Sequence, residues 1–354
     1  MTFSYAHYHT SKKYTMKWEK NNKKQQKMKV YGKEFFTGNP ISNDHDKRLT
    51  EEIIKPQVAT IGFFDGVHRG HCHLIDHVRS VAEASGMESM AVTFDNHPRR
   101  VLGQDYCPQM LSTLDDKLLL LSKAHIDNCA VLPFSRSLAS LSACEFMQKI
   151  LHDKLNVRKL VIGYDNRFGH DRTDGFEDYG RYGREMGIEV ICSDAYIYKG
   201  VRVSSSVVRS YIAKGEIRLA NDCLGHPYTI TGKVVGGFRE GRKIGFPTAN
   251  IAVNDPCRMI PANGVYAVTV RIPGSMEQKH AMMNIGKRPT YNGHEVTLEA
   301  HILNFRGDIY GQTVSVSFIS RIRDERKFAD VEDLTRQLHE DERIVEEILK
   351  NEIE

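Results

Sequence analysis

Residues 58–78 place a strand, a glycine-rich turn and a helix in direct succession, and this order constrains the fold more than any other feature. The apolar run Val58–Ile61 is typical of a strand, and residues 74–78 carry apolar side chains at helical spacing. The connecting residues, 62–71, read GFFDGVHRGH. Ligands of open α/β sheets collect at the carboxyl ends of the strands. The turn is therefore predicted to lie at the ligand-binding edge of an α/β domain.

The residues of this turn suit the binding of phosphate. His68 and His71 are three residues apart at the start of the predicted helix, so both imidazoles project from one helix face. The free N–H groups of the first helical turn, and the positive end of the helix dipole, favour an anion there. Gly62, Gly66 and Gly70 let a ligand approach the backbone. The alternative is a tight connection with surface histidines.

A second glycine-rich segment lies at residues 241–250, which read GRKIGFPTAN after a strand-like run at 228–236. Gly241 would let backbone amides reach phosphate oxygens. Thr248 and Asn250 face the same way if the segment is extended, and their oxygens are hard ligands that suit Mg²⁺. The alternative is a glycine-rich hairpin followed by a proline turn.

The pattern of apolar residues divides the chain into two parts. Up to Ile212, strands and helices alternate, which predicts a mostly parallel sheet with helices on both faces. The strand-like runs are 90–94, 130–132 and 160–162. The helical runs are 114–124 and 143–155. After Pro227, short alternating runs predict a small antiparallel barrel. These runs are 228–235, 264–272, 296–304 and 312–319. Residues 331–351 predict a charged amphipathic helix that follows the barrel.

Composition excludes several classes of protein. A chain of 354 residues with 40% hydrophobic and 27% charged residues is expected to form two globular domains. It contains neither an apolar run long enough to span a membrane nor the apolar core of a secretory signal. The seven cysteines are scattered singly, without metal-ligand or redox spacing. They predict unpaired thiols, a cytoplasmic location and no zinc site.

Residues 11–30 contain eight lysines and a single acidic residue, Glu19. Such a tail attracts nucleic acid or anionic surfaces. The favoured alternative is a disordered extension, or an upstream start codon with Met28 as the real start, because the tail has no periodicity or motif. The first strand of the sheet is expected near Val58. The predicted partners are therefore small-molecule substrates, with no membrane and no nucleic acid, and the oligomeric state stays open.

The quoted strings resemble known signatures. Residues 62–71 resemble the histidine–x–glycine–histidine element of nucleotidyltransferases and, more narrowly, the FMN adenylyltransferase module of bacterial bifunctional riboflavin kinase/FAD synthetases. Residues 245–250, GFPTAN, resemble the ATP loop of riboflavin kinases. The resemblance implies a Rossmann-like nucleotidyltransferase domain with a parallel sheet at 56–222. It also implies a small antiparallel β-barrel riboflavin kinase domain with a C-terminal helix at 223–354, and a basic extension and lead-in at 1–55.

The implied chemistry is the phosphorylation of riboflavin by ATP to FMN, followed by attack of the FMN phosphate on a second ATP to give FAD and pyrophosphate, with Mg²⁺. His68 and His71 would stabilise the transition state of the second reaction. Asp65 either stabilises the turn or contacts Mg²⁺ or nucleotide. The residues expected to bind nucleotide or phosphate are Gly62, Phe64, Asp65, Gly66, Arg202, Ser205, Ser206, Arg209, Gly241 and Gly245.

For the kinase, the resemblance makes Glu299 the base that accepts the ribityl hydroxyl proton, where the alternative is a surface glutamate. Thr248 and Asn250 are the implied metal ligands. Asp165, Arg323 and Phe328 are the expected flavin contacts.

Two positions depart from the family pattern. Asn166 replaces an aromatic residue and Val207 replaces a frequent basic one, so a kinase with a weakened adenylyltransferase half is one alternative. A flavin-binding regulator without turnover and a nucleotide binder acting on RNA through the tail are the others.

Overall fold

A computed structural model describes residues 28–37, 54–97, 108–163, 166–170, 172–237, 240–275, 277–290 and 293–351. Within them, two compact units divide between Val203 and Ser204. We call residues up to Val203 the sheet unit and residues from Ser204 onward the barrel unit. The predicted division at 222/223 stays a prediction.

The sheet unit is built on a six-stranded parallel sheet with the order β1-β4-β3-β2-β5-β6. The chain runs outward from β2 through β3 to β4 and then returns to β5 on the other side of β2. The carboxyl ends of β2 and β5 therefore form the switch point at which such sheets bind ligands. The strands are β1 (Lys29–Tyr31), β2 (Gln57–Ile61), β3 (Glu88–Phe94), β4 (Asn128–Leu132), β5 (Val157–Gly163) and β6 (Glu189–Ser193).

Helices cover both faces of this sheet, as the alternation of strands and helices predicts. Val58 and Ala59 are successive residues of β2, yet they belong to two different hydrophobic clusters. The helices are α1 (Lys33–Thr37), α2 (Arg69–Ser85), α3 (Leu114–Lys123), α4 (Arg136–Ala139), α5 (Ala143–Phe146, followed by a π-helix at Met147–His152) and α6 (Phe176–Met186). A short antiparallel hairpin joins β7 (Ile197–Tyr198) to β8 (Val201–Arg202).

The sheet begins earlier than the sequence predicts. The expectation of a first strand near Val58 is wrong, because Lys29–Tyr31 pair in parallel with β4, Lys29 standing opposite Asn128. A three-residue strand is too short to show periodicity, and backbone pairing with one buried side chain, Tyr31, holds it. The lysine-rich residues 1–27 lie outside the described part of the chain.

The barrel unit contains a closed antiparallel barrel with the order β10-β13-β12-β11-β14-β9, which confirms the predicted barrel. Its interior takes Leu298, Ala300 and Ile302, and α10 packs outside with Val345 and Leu349 buried. Two strands, β10 and β12, have no counterpart among the predicted runs. The strands are β9 (Tyr228–Val235), β10 (Ala249–Ala252), β11 (Gly264–Arg271), β12 (Gln278–Thr290), β13 (Gly293–Ile302) and β14 (Thr313–Arg323). The helices are α7 (Ser205–Lys214), α8 (Ile217–Leu224), α9 (Glu240–Lys243) and α10 (Val331–Asn351).

The amide of Asn221 fastens α8 to the barrel. It donates to the carbonyl oxygen of Phe318 (2.9 Å) and accepts from the backbone N–H of Tyr228 (2.8 Å). Cys257 is disulfide-bonded, so the expectation that all seven thiols are unpaired is wrong at that position. None of the helices in the described ranges combines the length and apolarity that a membrane span requires.

Candidate functional site

The turn at 62–71 places two imidazoles against each other at the start of α2. His68 caps the helix, and its Nδ1 accepts a hydrogen bond from the backbone N–H of His71 (3.2 Å). The two rings stack with centroids 3.6 Å apart and an angle of 16° between their planes. An Nδ1 that accepts carries no proton, so a neutral His68 carries its proton on Nε2. That Nε2–H is a donor of the kind a phosphate oxygen accepts.

The backbone of the turn is strained at two residues that precede the histidines. Phe64 has φ +52° and Val67 has φ +39°, a region that side chains of these types rarely adopt. Strain of this kind persists only where the surrounding structure enforces it, and it concentrates at functional sites. Here both side chains are buried in the core, and the Phe64 ring meets His71 edge-on at 5.2 Å.

Two glycines of the turn lie close to aromatic rings. A Cβ atom at Gly70 would lie 3.2 Å from the His68 ring and from the carbonyl oxygen of Val203. A Cβ atom at Gly62 would lie 3.0 Å from the Phe64 ring. Any side chain at either position would therefore push against a ring that shapes the turn.

Asp65 is buried and its carboxylate accepts hydrogen bonds from the backbone. This favours a role in stabilising the turn over a contact with Mg²⁺ or nucleotide. Its carboxylate accepts from the backbone N–H of Leu111 and of Ser112, and from the Ser112 hydroxyl, all at 3.0 Å. The same hydroxyl accepts from the backbone N–H of Gly66 (2.9 Å). Asp65 thereby ties the turn to the segment that precedes α3.

The loop after β5 joins the turn through Asn166. Its side-chain amide donates to the carbonyl oxygen of Ile61 (2.8 Å), the last residue of β2. The departure from the aromatic residue of the family thus has a structural role at the switch point. Asp165, the predicted flavin contact, lies outside the described residues.

A buried lysine beside the turn has no counterpart among the predicted site residues. Lys117 lies on α3, and burial lowers the pKa of its ammonium to about 8. Its position between Leu114 and Leu121 on an apolar helix face is the one signal in the sequence that marks it.

The predicted phosphate ligands at 202–209 fall on two sides of the division between the units. Arg202 ends β8 of the sheet unit and is exposed. In the barrel unit, Ser204 caps α7 by accepting from the backbone N–H of Val207 (3.3 Å). Ser205 and Ser206 therefore occupy the first turn of α7, where N–H groups are available to an anion, and Arg209 follows on the same helix.

The barrel aligns three polar residues in one row. Glu299 of β13 stands opposite Asn250 of β10 on one side and opposite Asn284 of β12 on the other. Residues directly opposite in a ladder place their side chains on the same face, close enough to interact. We call these three residues the carboxamide–glutamate row.

The loop before β10 is shaped by close approaches. A Cβ atom at Gly241 would lie 2.2 Å from the carbonyl oxygen of Phe246, and Gly245 has φ +89°. The ring of His301, a residue that was given no predicted role, bonds through Nδ1 to the carbonyl oxygen of Pro247 (2.8 Å). His301 and Glu299 are two residues apart on β13 and share one face of the strand, so that face both supports the loop and carries the glutamate.

Arg323 and Phe328 lie together beside α10. The Arg323 guanidinium forms a two-pronged ion pair with the fully buried Asp341, with Nη2 2.7 Å from Oδ2 and Nε 3.0 Å from Oδ1. Its centre is 5.8 Å from the centroid of the Phe328 ring. This pair fixes α10 to the end of β14, and the expected flavin contacts stay predictions.

Comparison with known proteins first gives the class of each part. A family model for FAD synthetase matches residues 50–207, and one for riboflavin kinase matches residues 224–349. A crystal structure described as a macrolide-efflux protein from Streptococcus pneumoniae superposes with a TM-score of 0.76 at 32% identity, covering 82% of this chain and 94% of that one.

Full-length relatives give the particular family. The bifunctional riboflavin kinase/FMN adenylyltransferase of Haemophilus influenzae is 38% identical over 82% of this chain and 93% of its own length. Its Bacillus subtilis counterpart is 33% identical over 84% of this chain and 94% of its own length. The chain belongs to the bifunctional riboflavin kinase/FMN adenylyltransferase family, and it makes FMN and then FAD with ATP. The predicted fold and activity are confirmed.

Proposed function

We propose that the turn at 62–71 performs the adenylyl transfer and that the carboxamide–glutamate row performs the kinase reaction. The observation that supports the first part is the stacked pair of imidazoles on a capped helix N-terminus, at the switch point of the sheet. The observation that supports the second is the alignment of Glu299 with Asn250 and Asn284.

In adenylyl transfer, the FMN phosphate attacks the α-phosphorus of ATP and pyrophosphate leaves. His68 donates from Nε2 to a phosphate oxygen, and its Nδ1 keeps the ring in place by accepting from the backbone of His71. The ring of His71 stacks on the ring of His68 at 3.6 Å, so both imidazoles lie together at the start of α2. Arg202 in the sheet unit, and Ser205, Ser206 and Arg209 in the barrel unit, stay predicted phosphate ligands, each within its own unit.

In the kinase reaction, Glu299 accepts the proton of the ribityl hydroxyl as that oxygen attacks the γ-phosphorus, the bond to the β,γ-bridging oxygen breaks and ADP leaves. Asn250 and Asn284 orient the carboxylate from both sides. The loop carrying Gly241 and Gly245 approaches the phosphates of ATP with its backbone.

Thr248 and Asn250 fit a Mg²⁺ ion by their chemistry. Thr248 directly precedes β10 and Asn250 lies within it, so a hydroxyl and an amide oxygen emerge on the same side. A bound Mg²⁺ would neutralise charge on the ATP phosphates. We place both reactions in the cytoplasm, where free thiols such as the five among the described residues are expected and the disulfide at Cys257 is the exception.

The division of labour is tested by mixing two single-site variants. His71→Ala alone should convert riboflavin only to FMN, and Glu299→Gln alone should make FAD only from supplied FMN. An equimolar mixture given riboflavin, ATP and Mg²⁺ should produce FAD, because FMN diffuses from one protein to the other. A mixture that makes no FAD would contradict the proposed division, and so would either variant that retains both activities.

A further inference from the structure

Lys117 is an ammonium buried directly beside the turn at 62–71. The residue is 2% exposed. Its Nζ donates to the hydroxyl of Thr93 (3.2 Å) and to the carbonyl oxygen of Phe94 (3.1 Å), and it lies 4.1 Å from the centroid of the Phe63 ring. At that distance a cation is attracted to the face of the ring.

These contacts converge on Phe63. The Thr93 hydroxyl, which accepts from Lys117, donates in turn to the carbonyl oxygen of Phe63 (3.2 Å). Lys117 therefore holds the ring of Phe63 directly and its backbone through Thr93. Phe63 immediately precedes Phe64, where the strained part of the turn begins.

The fold itself does not require a charge at this position. Burying an ammonium costs more than burying an apolar side chain of similar size, and replacing buried charges by apolar groups is often neutral or stabilising. The charge does have a counterpart nearby, since Asp65 and Asp95 both act on Lys117 electrostatically. A buried carboxylate in a turn that binds ATP would repel the triphosphate, and a buried cation offsets that repulsion.

We propose that Lys117 is a positioning residue for adenylyl transfer, whose buried ammonium fixes Phe63 and offsets the charge of Asp65 so that the turn accepts a triphosphate. The inference rests on the proposed placement of that reaction at the turn.

The test compares Lys117→Met with Lys123→Met, which removes an exposed lysine from the same helix. We expect Lys117→Met to lower kcat/KM for FAD synthesis roughly 10- to 100-fold, the loss typical of a charged hydrogen-bonding partner, mainly through a higher KM for ATP. Riboflavin phosphorylation should be unchanged, and the thermal midpoint should not fall. Lys123→Met should match the wild type in all three measurements.

A pH profile separates charge from packing. FAD synthesis by the wild type should decline as the pH rises through about 8, where Lys117 loses its proton. Of the other titratable groups that face it, Asp65, Asp95 and Cys129, burial raises the pKa of Cys129 to about 12, so that thiol stays neutral. Lys117→Arg keeps the charge and should abolish the decline.

Three results would overturn the inference. The first is normal FAD synthesis by Lys117→Met, and the second is the same alkaline decline in the Arg variant as in the wild type. The third is a loss of activity in Lys117→Met that is accompanied by a lower thermal midpoint, which would mean that Lys117 only stabilises the fold. If Lys117→Met is normal while His71→Ala loses FAD synthesis, only this inference fails. If both are normal, the placement of the reaction at the turn fails as well.

Discussion

The turn before α2 and the carboxamide–glutamate row of the barrel differ in how the fold positions their polar groups. In the turn, the polar groups come from residues close in sequence, and the backbone is bent into left-handed conformations at Phe64 and Val67 to present them. In the row, Asn250, Asn284 and Glu299 come from three separate strands in ordinary extended conformation. The turn depends on local strain enforced by a buried core, whereas the row depends on the register of a closed barrel.

This difference has a consequence for the effects of mutation. A substitution in the turn acts on a strained segment, so it alters both chemistry and stability. A substitution in the row changes one side chain on a regular ladder, so its effect stays confined to chemistry. The following predictions test that contrast, beginning with the largest expected effect.

Glu299→Gln should lower riboflavin phosphorylation by about 10²–10⁴, because a glutamine cannot accept the hydroxyl proton. The thermal midpoint should stay within a degree or so of the wild type, since the ladder is intact. Initial rates of FMN formation, with calorimetry on the same samples, check both statements. Glu277→Gln, an exposed glutamate before β12, is the control. Near-normal phosphorylation by Glu299→Gln would remove this residue from the mechanism.

His71→Ala should lower FAD formation from FMN by about 10²–10³, the scale of losing one preorganised group that stabilises the transition state. Unlike the row variant, it should also lower the thermal midpoint, because the ring packs on His68 and Phe64. The measurement is FAD release under saturating ATP together with a melting curve. His77→Ala, later on the same helix, serves as the matched control. Equal loss of both enzymatic activities would point to a general folding defect.

Asp65→Asn should destabilise the protein by about 1–3 kcal/mol. In the variant an NH₂ group replaces one of the carboxylate oxygens, and this donor would face the backbone N–H groups that the oxygens accept from. Denaturant unfolding of the variant, with Asp76→Asn as an exposed control, measures this cost. A direct contact of Asp65 with Mg²⁺ or nucleotide predicts the reverse pattern, which is unchanged stability with a raised KM for ATP.

The smallest expected effect concerns the pH dependence of stability. Burial lowers the pKa of Lys117 from 10.5 to about 8, so at pH 7 the folded state bears the cost of a buried charge. Above pH 8 the unfolded chain binds more protons at this group than the native state, and the cost declines up to pH 10.5. The free energy of unfolding of Lys117→Met should exceed that of the wild type at pH 7. At pH 9 this excess should be smaller by about 1 kcal/mol. A difference in stability that does not vary between these pH values would contradict the depressed pKa.

The sequence by itself determined the strand–turn–helix unit at 58–78, the alternation of strands and helices around it, and the barrel pattern after Pro227. These features rest on contacts between near neighbours and on the periodicity of apolar residues. The cap that joins His68 to His71, three residues apart, is of this kind, and so are the serines that open α7. Such local geometry can be predicted because the backbone alone sets it.

The tertiary structure decided the rest. Asp65 meets Ser112 across 47 positions of sequence, and Lys117 meets Thr93 across 24. Whether a carboxylate binds a ligand or a backbone, and whether a lysine is solvated or buried, depends on which distant segments pack against it. The row around Glu299 likewise follows from the register of β10, β12 and β13, two of which the sequence pattern missed. Strand register and side-chain burial are set when the barrel closes and the core packs. The periodicity of apolar residues along the sequence therefore predicts neither of them.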